Sequence, residues 1–127
     1  MSQEHYLIDG YNLLFSLSNG ESFREERESL ITSLNDLCKL AAIDVIVIFD
    51  GADDLGFSRS HFDSIEIVFS PPKMSADDYI LDLLEILLLS KKKTVVTSDK
   101  PLSKKARHLG AKTLTVSFFF QWLLKRA

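Results

Sequence analysis

Three aspartates in this sequence each close a short apolar run. Asp9 ends the segment YLID, Asp50 ends VIVIFD and Asp99 ends TVVTSD. Runs of this length and composition are typical of strands that are covered on both faces of a parallel sheet. Such sheets bind ligands in the crevice beyond the carboxyl ends of the strands, and neighbouring strands are about 5 Å apart. If the three strands are parallel neighbours, their carboxylates can therefore share a cation.

Carboxylates without histidine or cysteine favour a hard cation, Mg²⁺ or Mn²⁺. Like charges that cluster in a cleft are costly unless something positive lies among them. A site of this kind supports the attack of metal-activated water on a phosphate ester, with no need of a nucleophilic serine or cysteine. The opposing interpretation is structural, because a single aspartate at a strand end is more often a turn former or a helix cap. The prediction of a metal site rests on the set of three.

Two further acids, Asp77 and Asp78, fall in the first turn of a helix that is predicted to start at Ser75. Ser75 and Asp78 have the spacing of a capping box. The helix leads into the strand that ends at Asp99. Such a helix packs antiparallel to that strand, and on spacing alone we expect it to start near the opposite, N-terminal rim of the sheet. A tilted helix, or a strand order that puts the helix at the edge of the site, would still bring Asp77 to the crevice.

The remaining patterns predict a single α/β domain over residues 1–127. Apolar runs and capping residues predict strands at 5–9, 44–50, 65–69, 94–98 and 112–116, and helices at 22–42, 75–90, 101–109 and 117–125. Gly10 is expected to let the backbone turn where a side chain would obstruct it, residues 51–63 to form a loop, and Ser117 to cap the last helix. Cys38 is predicted to be a buried structural thiol. The order of elements implies a largely parallel sheet with helices on both faces.

Charge is unevenly distributed along the chain. Residues 1–89 hold 17 acidic and 5 basic side chains, a net −12, whereas residues 90–127 hold 1 acidic and 10 basic, a net +9. A basic third can bind a polyanion while an acidic pocket nearby holds metal ions. One face of the helix after Asp99 carries Lys104 and Arg107. Phosphate contact beside the metal site and a solvated helix face are equally compatible with this pattern.

The C-terminal helix is apolar almost all round, with Phe118, Phe119, Phe120 and Trp122. Core packing is its expected role, and a homodimer contact is the alternative. Base stacking has little support at this level, because no basic residues are interleaved with the rings. The chain has no apolar run of about 18 residues and no basic leader segment, which favours a cytoplasmic, unexported protein.

Four motifs, in order, resemble those of one known family. They are Asp-Gly-Tyr-Asn at 9–12, Val-Ile-Phe-Asp at 47–50, Ser-Ala-Asp-Asp at 75–78 and Thr-Ser-Asp at 97–99. Together they resemble the YacP-like NYN domain, a branch of the PIN-like nucleases. The resemblance implies a PIN-like three-layer α/β/α sandwich with a mostly parallel central sheet. It also implies a metal-dependent endoribonuclease that hydrolyses RNA phosphodiester bonds with Mg²⁺ or Mn²⁺.

The resemblance further implies roles for individual residues. The implied metal ligands are Asp9, Asp50, Asp77 and Asp99, because PIN-like folds bring the start of the helix that carries Asp77 to the acidic crevice. Asp78 would support the metal or position water, and Asn12 would orient Asp9 or a phosphate. These six residues are the candidate catalytic group. The candidate substrate-binding residues are Asn12, Ser98, Lys100, Lys104 and Arg107.

The implied partner is single-stranded RNA, including mRNA on the ribosome. After Asp99 the family pattern has a Gly-rich, Gln-containing loop and a further basic helical tail, whereas here Lys100 and Pro101 lead straight into a helix. This departure leaves ribosome association open. The alternative function is a non-catalytic RNA- or ribosome-binding module that retains the fold. A receiver or phosphatase domain would need an acidic pair or Asp-x-Asp at the first strand, and Asp9-Gly-Tyr has neither.

Overall fold

The computed structural model describes residues 5–17, 23–50, 58–61, 64–71, 73–87 and 93–126. The strands are β1 (His5–Asp9), β2 (Asp44–Phe49), β3 (Ser58–His61), β4 (Ile65–Phe69), β5 (Lys93–Val96) and β6 (Lys112–Leu114). The helices are α1 (Gly10–Leu17), α2 (Phe23–Ala41), α3 (Ala76–Leu87), α4 (Lys100–His108) and α5 (Val116–Arg126). Within these ranges, no helix is long and apolar enough to cross a membrane.

One six-stranded sheet forms the centre of the fold, in the order β3-β4-β2-β1-β5-β6. Five of these strands are mutually parallel: β4, β2, β1, β5 and β6. Strand β3 pairs antiparallel to β4 at one edge. β1 lies between β2 and β5, with Ile8 opposite both Val47 and Val96. The three strands that lead to the aspartates are therefore parallel neighbours, and their carboxyl ends share one rim.

Helices cover both faces of the sheet, so the predicted α/β/α sandwich is confirmed. Alternate side chains of β1 belong to two separate cores. Ile8 lies in the core that includes Leu34 of α2 and Phe119 of α5, whereas Leu7 lies in the core that includes Ile80 of α3 and side chains of α4. Because both faces of β1 are buried, its sequence is a continuous apolar run rather than an alternating one.

Three local expectations are wrong. Gly10 begins helix α1 rather than a simple turn, because eight residues are too few for a helical period to be read from the sequence. Residues 58–61 form β3 inside the predicted loop 51–63, whose other residues lie outside the described ranges. The sequence of β3 has no apolar residue, so only its pairing with β4 reveals it. Helix α5 is capped by Thr115 rather than Ser117: the Phe118 N–H donates to Thr115 Oγ1 at 3.1 Å.

The single cysteine is confirmed as a structural thiol. Cys38 is fully buried in α2, within the core that faces β2. Burial, together with the nearby negative charge of Asp44, raises the pKa of this thiol to about 12. Cys38 therefore stays neutral and serves as a small apolar packing group.

Gly10 is required by a close approach between α1 and β2. A Cβ atom at this position would lie 2.6 Å from both Cδ1 and Cε1 of Phe49. The Phe49 ring is fully buried; it meets Tyr11 edge-on with centroids 4.9 Å apart and stacks on Phe69 at 5.4 Å. Since the ring is held on two sides, only glycine lets the first turn of α1 lie against β2. The contact also fixes the backbone of Asp9, the preceding residue.

Gly10→Ala is expected to lower the free energy of unfolding by about 1–3 kcal/mol, because the added methyl group overpacks against Phe49. Denaturant unfolding measures the loss. Phe49→Leu provides the matched test, since a smaller side chain makes room for the methyl group. The double variant should lose less stability than the two single losses added together. Strict additivity would contradict the proposed contact.

Candidate active site

Asp9 occupies the centre of the carboxyl rim. It is the last residue of β1, and only 9% of its surface is exposed. Its Oδ1 accepts a hydrogen bond from the Asn12 N–H at 3.4 Å, and its Oδ2 accepts one from Thr97 Oγ1 at 3.3 Å. The strands on either side lead to Asp50, directly after β2, and to Asp99, three residues after β5. The central strand thus presents a carboxylate that is nearly withdrawn from water.

Burial and neighbouring acids together raise the pKa of Asp9 from 3.8 to about 6. Desolvation is the largest cause, and the negative charges of Asp77 and Asp99 raise this pKa further. The hydrogen bonds from Asn12 and Thr97 act in the opposite direction, because they stabilise the ionised form. The crevice therefore has more negative charge than its own donors can neutralise.

Asp77 joins this crevice from α3. Desolvation raises its pKa, and the charges of Asp99, Asp78 and Asp50 raise it further, whereas Lys105 lowers it. Charge repulsion at Asp9 and Asp77 thus involves acids from four places in the fold. These are the end of β1, the residue after β2, the first turn of α3 and the N-cap of α4. The four aspartates that were predicted to hold metal, Asp9, Asp50, Asp77 and Asp99, are brought to the same end of the sheet.

The expectation that α3 starts at the opposite rim is wrong. Helix α3 follows β4, and the carboxyl end of β4 lies at the same rim as those of β1, β2 and β5, because these strands are parallel. A helix that runs antiparallel to the strand after it ends where that strand begins, so it must start at the carboxyl rim. Connectivity itself therefore carries Asp77 to the crevice, where the family resemblance also placed it.

Asp99 has a structural role as well as a position in the crevice. It is the N-cap of α4, and its Oδ1 accepts a hydrogen bond from the Leu102 N–H at 3.1 Å. Asp78 is exposed on α3, and its N–H donates to Ser75 Oγ at 3.1 Å, as the capping pattern predicts. The cap interpretation is thus correct for Asp99, and it coexists with the electrostatic coupling to Asp9 and Asp77.

Thr97 is a site residue that the sequence pattern did not single out. Its hydroxyl donates to Asp9 Oδ2 and accepts a hydrogen bond from the Asp99 N–H at 3.1 Å, so one hydroxyl links two of the acids. The adjacent Ser98 N–H donates to Asn12 Oδ1 at 2.6 Å. Asn12 therefore contacts Asp9 through its backbone and holds the loop after β5 through its side chain. The only sequence signal for Thr97 was its place in the Thr-Ser-Asp motif.

A basic groove begins beside the crevice, between α4 and β6. Its volume is about 560 Å³, and its lining comprises Thr97, Ser98, Lys100, Ser103, Lys104, Arg107, Thr113, Leu114 and Thr115. Arg107 is oriented by a hydrogen bond from its guanidinium Nη1 to Thr113 Oγ1 at 3.0 Å. The predicted substrate-binding residues Ser98, Lys100, Lys104 and Arg107 thus share one groove. Lys105 acts instead on Asp77, which the helical spacing did not reveal.

The donor set of the crevice suits a hard divalent cation. Carboxylate oxygens are the ligands that such ions prefer, and a cation would relieve the repulsion that raises the pKa values of Asp9 and Asp77. Among the described residues, no three acidic, histidine or cysteine side chains already lie close enough together to hold an ion. An ion such as Mg²⁺ keeps several water ligands, so one or two of these carboxylates could hold it directly.

Asp9→Asn is expected to stabilise the metal-free protein at neutral pH. Asp9 ionises near 3.8 when unfolded and near 6 when folded, so the native state binds more protons between these values. The contribution of Asp9 to stability is thus lost as the pH rises from about 4 to about 6. In EDTA at pH 7.5 the variant should gain up to about 3 kcal/mol in unfolding free energy, and near pH 4 the gain should disappear. A gain that does not depend on pH would contradict this account.

Thr97→Val is expected to raise the pKa of Asp9 further, by about one pH unit, because the ionised carboxylate loses a hydrogen bond. An NMR titration of the Asp9 carboxyl carbon in EDTA measures this change. Thr97→Ser retains the hydroxyl and is the matched control, for which a pKa near the wild-type value is expected. If the valine and serine variants titrate alike, the hydroxyl does not contribute to the charge balance of the crevice.

Comparisons with known proteins agree on the fold. Rae1 (YacP) from Bacillus subtilis superimposes with a TM-score of 0.77 at 23% identity, covering 99% of this chain and 75% of that one. Its W164L mutant gives a TM-score of 0.78 at 22% identity, covering 98% and 77%. No curated protein gave a significant match.

The family model is more specific than the structural similarity. It describes the YacP-like NYN domain and matches residues 6–126, nearly the whole chain. The matched range includes each acid of the crevice and the whole of the basic groove. This membership supports a nuclease-family, RNA-related role. The chain belongs to the YacP-like NYN domain family.

Proposed function

We propose that this chain is a metal-dependent endoribonuclease that hydrolyses phosphodiester bonds in single-stranded RNA. The observation that carries the proposal is the electrostatic coupling of Asp9, Asp77 and Asp99 at one rim, with Asp50 acting on Asp77. Four acids that only supported the fold would be a net cost to stability. Strained charge clusters of this kind are more often found where a protein is tuned to bind and react.

The crevice acids would hold one or more Mg²⁺ or Mn²⁺ ions through Asp9, Asp50, Asp77 and Asp99. When bound, such ions lower the pKa of a water nucleophile and neutralise charge on the scissile phosphate. Asp9 is suited to be the central ligand, because two hydrogen bonds fix its carboxylate. Asp78, exposed beside Asp77, would position water from the solvent side.

The RNA strand would be held by the basic groove. Its charged lining residues, Lys100, Lys104 and Arg107, are all cationic, and the surrounding hydroxyls can donate to phosphate oxygens. Ser98 lies where the groove meets the crevice, next to Asp99. A backbone bound in the groove would therefore enter the acidic site. Contacts of this type do not read sequence, so we expect the groove to accept many RNA sequences.

A non-catalytic module that binds RNA or the ribosome could use the same groove. The two functions differ in what they require of the acids: binding needs only the groove, whereas cleavage needs the groove and the carboxylates. An RNA-binding module would gain from removal of the crevice charge, which repels phosphate. The chain instead has Asp77 and Asp99 close enough to Asp9 to raise its pKa, and Asp99 also raises the pKa of Asp77. The presence of this repulsive cluster supports the catalytic function.

Asp9→Asn and Asp99→Asn are each expected to reduce Mn²⁺-dependent cleavage of single-stranded RNA by about 100-fold or more, since each removes a charged metal ligand. Asparagine caps helices about as well as aspartate, so Asp99→Asn should leave α4 intact. Asp36→Asn, on the exposed surface of α2, is the matched control and should cleave at the wild-type rate. End-labelled RNA on denaturing gels measures the rates, and circular dichroism checks folding.

Wild-type cleavage by both crevice variants would contradict the proposed function. RNA binding that EDTA leaves unchanged, with no cleavage under Mg²⁺ or Mn²⁺, would favour the non-catalytic module instead. Cleavage that persists in EDTA would exclude a metal-dependent reaction. The three outcomes require only this chain, its two crevice variants and one RNA substrate.

A further inference from the structure

A second cavity lies on the other side of the edge strand β6, between that strand and α5. Its volume is about 230 Å³, and its lining comprises Tyr6, Thr94, Lys112, Leu114, Phe118 and Trp122. Half of these residues are aromatic, and the only charged one is a lysine. A cavity of about 150 Å³ accommodates benzene. This cavity is therefore large enough for one planar nucleobase.

The aromatic wall of this cavity is held from behind. Trp122 packs against Tyr6 with centroids 5.6 Å apart and against Phe119 at 5.9 Å. The guanidinium carbon of Arg126 lies 5.4 Å from the Trp122 ring centroid, and Arg126 Nε donates to the Ala41 carbonyl at 2.9 Å. These contacts restrict the movement of the indole. A rigid aromatic wall lowers the entropy loss on stacking a ligand ring.

Phe118 lies at the cavity mouth, where 58% of its surface is exposed. An exposed aromatic ring beside a cavity is suited to stacking on a base, because every base has a planar face. Its position on α5 makes it separable from the core, since Phe119 and Leu123 supply the buried face of the helix. Removal of the Phe118 ring should therefore leave the fold intact.

The cavity adjoins the basic groove across strand β6. Leu114 lines both, while its neighbours Thr113 and Thr115 line the groove and Lys112 lines the cavity. β6 is the edge of the sheet, so the two sites are separated only by the width of one strand. A single-stranded nucleic acid that leaves the groove across β6 would reach the cavity with a neighbouring nucleotide.

We propose that this cavity binds one base of an RNA strand whose phosphates lie in the basic groove. The base stacks against Phe118 and Trp122, and Lys112 contacts an adjacent phosphate. Charge favours RNA over an apolar protein segment, because every charged residue that lines either cavity is cationic. No basic residue lies between the aromatic residues of α5 in the sequence, but the fold places Lys112 of β6 beside Phe118 and Trp122. The inference rests on the proposed function, since it takes RNA as the substrate.

Trp122 is the only tryptophan in the chain, and it reports directly on this cavity. Titration of a 12-nucleotide single-stranded RNA in EDTA, where metal-dependent cleavage cannot occur, should quench its fluorescence. Phe118→Ala should weaken binding about 10-fold, as expected for loss of one stacked base. Leu124→Ala removes a side chain of similar exposure, 57%, from the same helix and should bind like the wild type.

Abasic RNAs make the test specific for a base. In a series with one abasic site at each position, one position should weaken wild-type binding about 10-fold and have little effect on Phe118→Ala. If the affinity difference between the wild type and Phe118→Ala were the same for every abasic RNA in the series, the ring would not stack on a base. That result would overturn the inference.

A groove variant separates this inference from the proposed function. Lys104→Ala should weaken binding whether or not the cavity takes part. If Lys104→Ala binds weakly while Phe118→Ala and Lys112→Ala bind normally and Trp122 fluorescence is unchanged, the base site is overturned and RNA binding in the groove stands. If the wild-type chain binds no RNA at all, both the base site and the proposed function fall.

Discussion

The burial of a carboxylate at the tip of the central strand is the constraint on which the rest of the structure depends. Asp9 is almost fully withdrawn from water and lies near other acids, so it retains its proton at pH values well above its ordinary pKa. No fold gains stability from such an arrangement by itself. The neighbouring hydrogen-bond donors reduce the electrostatic repulsion without removing it, and the residual negative charge would favour a cation at this rim.

Several separate features hold the strained carboxylate in place. The contact of Gly10 with Phe49 seats the first turn after β1, the Thr97 hydroxyl joins Asp9 to the neighbouring loop, and Asn12 secures that loop at Ser98. The first feature couples the end of β1 and the start of α1 to β2, and the other two couple them to the loop after β5. The position of the carboxylate is therefore determined by tertiary packing rather than by a local turn, which a site with defined chemistry needs.

Much of the fold could be predicted because buried parallel strands leave a strong local pattern. Asp9, Asp50 and Asp99 were found from that pattern. Asp77 was placed at this rim only by resemblance, since the helix direction had been inferred correctly but the wrong rim had been deduced from it. β3 escaped prediction because its residues are polar and depend on pairing with β4. Thr97 escaped because its bond to Asp9 spans 88 positions, and no local pattern records such a contact.

Asp99 is both the cap of α4 and a member of the acidic crevice. The helix that it caps carries Lys100, Lys104 and the other cations of the groove, so the acidic crevice and the basic groove meet at one side chain. The distance between the basic groove and the acidic crevice is therefore set by the protein rather than by a bound strand. If the proposed function holds, the bond that is hydrolysed would lie at a set distance from the phosphates held in the groove, whatever the bases there.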